Sequence, residues 1–195
     1  YVTAGEYIAL GFHHILGGAD HLLFVLGLLL IVKGGMMLFK TITAFTGAHS
    51  ITLALAALGY ASVPRPPLEV SIALSIFFLG PEIVRSWRGE TSLTLRHPWM
   101  IAFLFGLLHG FGFATGLTTA GMPKAEIPLA LFFFNVGVEL CQLLFVSAAL
   151  GLLWVFKTGK VSWPRWAEVL PGYTVGSLGA YWTIQRTAVL IANLR

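Results

Sequence analysis

The sequence predicts an all-α fold: a polytopic membrane helix bundle of about six transmembrane helices, with the N-terminus outside. Three observations carry that reading. Hydrophobic residues make up 57% of the 195, charged residues only 10%, and the mean hydropathy is +0.84. Such a chain has too little polar surface to cover a soluble globule. Apolar runs close to the ~20 residues that cross a bilayer recur along its length. Between them, glycine, proline and charged residues gather in short breaks.

The runs fall at about 7–32, 41–60, 68–85, 99–119, 127–156 and 169–192, and residues 1–195 form a single transmembrane domain. The breaks are Lys33-Gly34-Gly35, Pro64-Arg65-Pro66-Pro67, the polar stretch Arg85 to Pro98, Gly121-Met122-Pro123-Lys124, and Lys157 to Pro164. None is long enough to be a further domain. The last run is interrupted by Gly172, Gly176, Gly179 and Arg186, although glycine is commoner in membrane helices than in soluble ones. Those glycines suit either a homo-oligomer contact or packing of the sixth helix on its own bundle.

Basic residues set the orientation. The first, third and fifth connections hold Lys33 and Lys40, then Arg85, Arg88 and Arg96, then Lys157, Lys160 and Arg165; the second and fourth hold only Arg65 and Lys124. The positive-inside rule then puts both termini outside the cytoplasm, in a multi-pass protein of the inner (plasma) membrane, with Arg195 and Arg186 toward the outer side. A start at Tyr1 in place of Met suits a position behind a cleaved signal, a removed outer domain or a tag. Trp87, Trp99, Trp154, Trp163 and Trp166, near predicted ends, read as interfacial anchors, and His97 as a surface residue. The net charge of +4 lies between apolar runs and carries no nucleic-acid footprint. The single cysteine, Cys141, excludes an intramolecular disulfide and a multi-thiolate metal cluster.

The first run holds the most informative residues. In FHHILGGADHLLFVLGLLLIV, 12–32, His13, His14, Asp20 and His21 interrupt an otherwise apolar segment. An ionisable group in hydrocarbon costs roughly 2.5–3.5 kcal/mol on insertion scales, so these groups need partners, water or a bound cation. On one continuous helix, residues seven apart share a face, which pairs His14 with His21 and His13 with Asp20 about 100° round. Gly17 and Gly18 leave a groove between the two levels.

Other runs repeat one polar face on an apolar helix. The second carries Thr46, His49, Ser50 and Thr52, and the fourth places His109 among Gly106, Gly110 and Gly112. In the fifth, Asn135, Glu139 and Gln142 at i, i+4 and i+7 present a carboxylate flanked by amides. Ser71, Ser75 and Glu82 form a similar strip in the third, where the serines read as packing residues and Glu82, near the cytoplasmic end, is expected to reach water. Five of the six histidines therefore lie in predicted spans together with Asp20 and Glu139. Imidazole with carboxylate suits borderline divalent ions such as Zn, Ni, Co and Cu, and the scarcity of thiolate argues against a soft-metal site.

These residues carry a resemblance. His14-x5-Asp20-His21, AFTGAHSITL (44–53), LLHGFGFATGL (107–117) and FFNVGVELCQL (133–143) resemble the HupE/UreJ family of hydrogenase and urease accessory proteins, particularly its second branch. The match spans 11–143. It implies a permease of six to eight spans for nickel or cobalt, with the first-span His and Asp motif as the metal-binding signature. One departure stands out: the better-studied branch carries an acid shortly after its His-Gly pair, and Gly110-Phe111-Gly112-Phe113-Ala114 has none. Glu139 could fill that role from another helix.

The expected metal ligands are His14, Asp20, His21, His49 and His109, with Glu139 as ligand or counter-charge and His13 along the pathway. Thr46, Ser50, Asn135 and Gln142 are expected to orient the ligands or line the path. Because imidazole binds metal only when neutral, loading should release protons and weaken below about pH 6.5. Beyond nickel or cobalt, zinc and copper stay open. So do two alternatives to transport: an intramembrane zinc-dependent hydrolase activating water on the same cluster, and an accessory protein that only hands ions on. A polar network that merely holds the helices together is the bland alternative. Transport stands first because of the family resemblance, with no catalytic residue assigned.

Overall fold

A computed structural model describes residues 3–118, 126–158 and 164–193. The fourth break at 121–124 and Lys160, Trp163 and Arg195 lie outside the described residues. Among those described, all regular structure is helical. The first helix, α1 (Ala4–Gly17), opens on a capping box: Thr3 N donates to a Glu6 carboxylate oxygen at 2.6 Å, while Thr3 Oγ1 accepts from Glu6 N.

The predicted single span 7–32 is two helices. After α1 the chain turns by 75° into α2 (Ala19–Ile31), with Gly18 ending one helix and starting the next at φ −90°, ψ 88°. Two consecutive glycines supply the cause, since each disfavours the helix by about 1 kcal/mol relative to alanine. Gly18 N bonds Ile15 O, and Gly18 O accepts from His21 N and Leu22 N, so the break keeps its backbone groups paired.

The remaining helices start largely where the punctuation predicts. They are α3 (Gly35–Ala57), α4 (Arg65–Trp87), a short α5 (Leu93–Arg96), α6 (Pro98–Thr118), α7 (Ile127–Thr158) and α8 (Arg165–Ala192). Pro64, Pro98 and Pro164 stand at the starts of α4, α6 and α8, where a missing N–H costs nothing. The largest difference in boundary is α3, which begins at Gly35 directly after the Lys33-Gly34 turn, six residues ahead of the expected run; Gly34 supplies the turn at φ 93°. By length and composition α4 and residues 127–156 of α7 can each cross a bilayer, and the bent pair α1–α2 makes a third, broken candidate. Large apolar side chains such as Leu104, Leu129, Phe132, Leu144 and Trp154 stand exposed around the bundle, which suits lipid and not water.

Three helix pairs approach most closely: α3 with α6, α4 with α8, and α1 with α7. Glycine permits each approach. A side chain at Gly106 or Gly110 of α6 would overlap the backbone carbonyl of Phe45 or His49 on α3. Gly11 meets Phe134 O and Gly137 meets Ile8 O between α1 and α7. Gly176 faces Gly80, and Gly179 sits on the Phe77 backbone. These glycines of α8 therefore pack it on its own bundle. Gly110→Ala should lower stability by about 1–3 kcal/mol by overpacking α3 against α6, whereas Gly151→Ala on α7, with nothing within 4 Å, should be neutral or slightly stabilising. Thermal unfolding in detergent distinguishes the two.

Ile31, Lys33 and Met37 line one cavity of about 330 Å³ with Glu90, Arg96 and Pro98, so the first and third basic connections share one end of the bundle. Glu82 lies near that end but does not reach water. It is 2% exposed, accepts from Arg85 at 2.7 Å and also from Ser92 Oγ, because the chain of 88–96 folds back over it.

Candidate metal centre

The bend at Gly18 assembles the site. On a straight helix, residues seven apart would be separated by about 10.5 Å along the axis. Instead the rings of His14, in the last turn of α1, and His21, in the first turn of α2, meet edge-on with centroids 4.8 Å apart. The pairing expected from a continuous helical face therefore occurs for a different physical reason. A Cβ at position 18 would lie 2.8 Å from His21 Nδ1 and 2.9 Å from His14 O, so glycine there also makes room for the ring.

His49 of α3 completes a group in which one donor nitrogen from each of His14, His21 and His49 lies within 4.8 Å of the others. Nitrogens held at about 2.0–2.1 Å from one ion can stand up to about 4.2 Å apart, so small ring rotations would close this set on a cation. His109 of α6 adds a fourth imidazole, 5.1 Å from His21 by ring centroids and 1% exposed. Phe24, Phe45 and Phe134 pack around these rings and screen them from solvent.

Hydrogen bonds select the tautomers of two of these rings. Asn135 Nδ2 donates to Leu131 O at 2.8 Å, so Asn135 Oδ1 is left to accept from His49 Nδ1 at 3.4 Å. That places a lone pair on His49 Nε2, which has no partner among the described residues. Ser75 Oγ donates to Ile72 O at 2.6 Å and must therefore accept from His109 Nε2, 2.9 Å away. The lone pair of His109 is then on Nδ1, again without a described partner. Neither ring nitrogen of His21 has one. Buried polar atoms in native folds are normally paired, so several bare imidazole nitrogens in one place offer lone pairs to a ligand such as a cation or water.

Ser75, read from the sequence as a packing residue, is thus a positioning group for His109. Its partner lies on another helix, and no spacing in the sequence signals that. Ser75→Ala should weaken Co²⁺ binding about tenfold, within the 10–100-fold range for groups that orient metal ligands, while Ser75→Thr should retain it. A titration followed by the Co²⁺ visible spectrum checks both.

The other expected residues lie outside the imidazole group. Asp20, expected as a ligand, accepts from Arg186 Nη2 with both carboxylate oxygens, at 2.8 and 3.1 Å, and so ties α2 to α8. The sequence signalled only that an arginine within an apolar run needs some acid, and did not say which. His13 is exposed beside Phe12, off the face that carries His14. Glu139 accepts from Thr43 at 2.6 Å, one turn along α7 from Asn135, and is not in the three-histidine group. Thr46 and Gln142 bond each other at 2.9 Å. Ser50 donates to Thr46 O at 2.7 Å and lines a separate cavity of about 280 Å³ with Asn135 and Leu131.

Apolar helices packed around imidazoles that keep buried, unpaired ring nitrogens define a helical membrane protein with a histidine site that could hold a metal ion. The family model described as HupE / UreJ protein matches residues 1–186, and the chain belongs to that family, which is linked to nickel and cobalt handling. No curated protein and no solved structure matches the chain.

Proposed function

We propose that this protein is a permease that moves a divalent transition metal, nickel or cobalt foremost, across the plasma membrane. The chain would cross the bilayer six times with both termini outside, α1 and α2 together forming one broken span. The observation that carries the reading is the set of unpartnered lone pairs on His21, His49 and His109 beside His14, gathered where the backbone breaks. Such a centre would strip part of an ion's hydration, and transport requires that it also let the ion leave. Imidazole nitrogen favours nickel, cobalt, zinc and copper over hard ions. Family membership ranks nickel and cobalt first.

Uptake of Ni²⁺ and Co²⁺ into proteoliposomes holding the full chain tests this. Saturable uptake that His14→Ala abolishes is the expected result. Tightly held zinc with no uptake of any ion would overturn the permease and favour the hydrolase.

A further inference from the structure

The seam between α3 and α7 carries three polar pairs. His49 faces Asn135, Thr46 bonds Gln142, and Thr43 donates to Glu139. Positions 43, 46 and 49 on α3 and 135, 139 and 142 on α7 each follow helical spacing, so two polar stripes face one another. If their purpose were only to join the helices, every buried polar atom would find a partner, since each unpaired one costs about 1–3 kcal/mol. Two do not. Glu139 Oε2 and the side-chain nitrogen of Gln142 are buried with no hydrogen-bond partner among the described residues, and Gln142 is 0% exposed.

The single proton of Thr46 resolves the identity of the second atom. Thr46 Oγ1 lies 3.3 Å from Ile42 O and 2.9 Å from the Gln142 side-chain oxygen, two acceptors for one O–H. Turning the Gln142 amide over lets its NH₂ donate to Thr46 Oγ1 while Thr46 donates to Ile42 O. The atom left bare is then the amide oxygen of Gln142, one turn from the bare oxygen of Glu139 on the same face of α7. Among the described residues no lysine or arginine pairs with Glu139.

We propose that Glu139, Gln142 and Thr43 form an oxygen-donor station for a divalent cation, distinct from the imidazole centre. The permease reading supplies only its place in the traffic. Glu139 lies about 6 Å along α7 from Asn135, which bonds His49, and the seam reaches the surface at exposed Thr43, toward the Lys33 end of α3. Carboxylate, amide and hydroxyl oxygens bind borderline ions less tightly than imidazole, so an ion leaving the histidines can be taken up here and released. The charge of Glu139 also balances an ion that neutral imidazoles leave uncompensated.

Oxygen donors suit Mn²⁺, which imidazoles hold poorly, so Mn²⁺ titration of the full chain in detergent, followed by electron paramagnetic resonance, isolates this station. Glu139→Gln keeps the shape of the side chain and an acceptor for Thr43, and should weaken Mn²⁺ at least tenfold; Gln142→Leu should weaken it severalfold. Both should keep Co²⁺ at the imidazoles, which verifies folding. His14→Ala should leave Mn²⁺ unchanged. No Mn²⁺ binding by the wild type, undiminished binding by Glu139→Gln, or equal loss in His14→Ala would each overturn the station. Absent Co²⁺ uptake by wild-type proteoliposomes would instead sink the permease and leave the Mn²⁺ isotherms to judge the station alone.

Discussion

His21→Ala is expected to lower the Co²⁺ affinity of the centre by more than about 100-fold, beyond the 10–100-fold typical for losing a group that only orients a ligand. His21 is the hub of the site. Its ring lies against His14, His49 and His109 at centroid distances of 4.8, 6.1 and 5.1 Å, and both its nitrogens are buried without described partners. Alanine there removes a donor and opens a void between the other three rings. His13→Ala, one residue from His14 but exposed, should change affinity less than about twofold. Elemental analysis and Co²⁺ titration of both variants provide the comparison. Comparable losses in the two, or retained binding in His21→Ala, would mean that the ion sits elsewhere.

Arg186→Met should destabilise the protein by about 2–3 kcal/mol, because it leaves the Asp20 carboxylate without its cation among apolar helices. Breaking a fully buried pair costs about 3–5 kcal/mol, and these side chains are 22% and 23% exposed, which lowers the figure. Asp20→Asn should cost a similar amount. Combined with Arg186→Met, it should cost less than the sum, because the double variant leaves no lone charge. Thermal unfolding of the four proteins measures that coupling. Co²⁺ binding by Asp20→Asn then separates two roles for the carboxylate. Affinity should fall only modestly if Asp20 acts by anchoring α2 to α8. Abolished binding in a variant of unchanged stability would mean that Asp20 leaves Arg186 to ligate the ion.

The all-helical architecture and the positions of most helices were legible because hydrophobicity and helix punctuation are local properties. Pro64, Pro98 and Pro164 mark helix starts whatever surrounds them. The imidazoles were legible as a group for a related reason: an ionisable residue in an apolar run is costly on its own account, so His14, His21, His49 and His109 stand out before any contact is known. Asp20 stood out equally, yet its partner could not be read. Arg186 lies 166 positions away, and a carboxylate beside histidines has the same composition whether it faces a metal or a guanidinium.

Thus the sequence by itself determined a helical chain suited to lipid, the set of groups able to take a divalent ion, and membership of a metal-handling family. Only the tertiary structure decided how those groups are divided. The 75° turn at Gly18 brings together rings that a straight helix would hold about 10.5 Å apart. Ser75 and Asn135, arriving on α4 and α7, choose which nitrogen of His109 and His49 keeps its lone pair. Arg186 holds Asp20, and Thr43 holds Glu139, outside the imidazole group. Ligand type follows from the residue alone, whereas ligand geometry and tautomer depend on angles and hydrogen bonds between segments far apart in the chain.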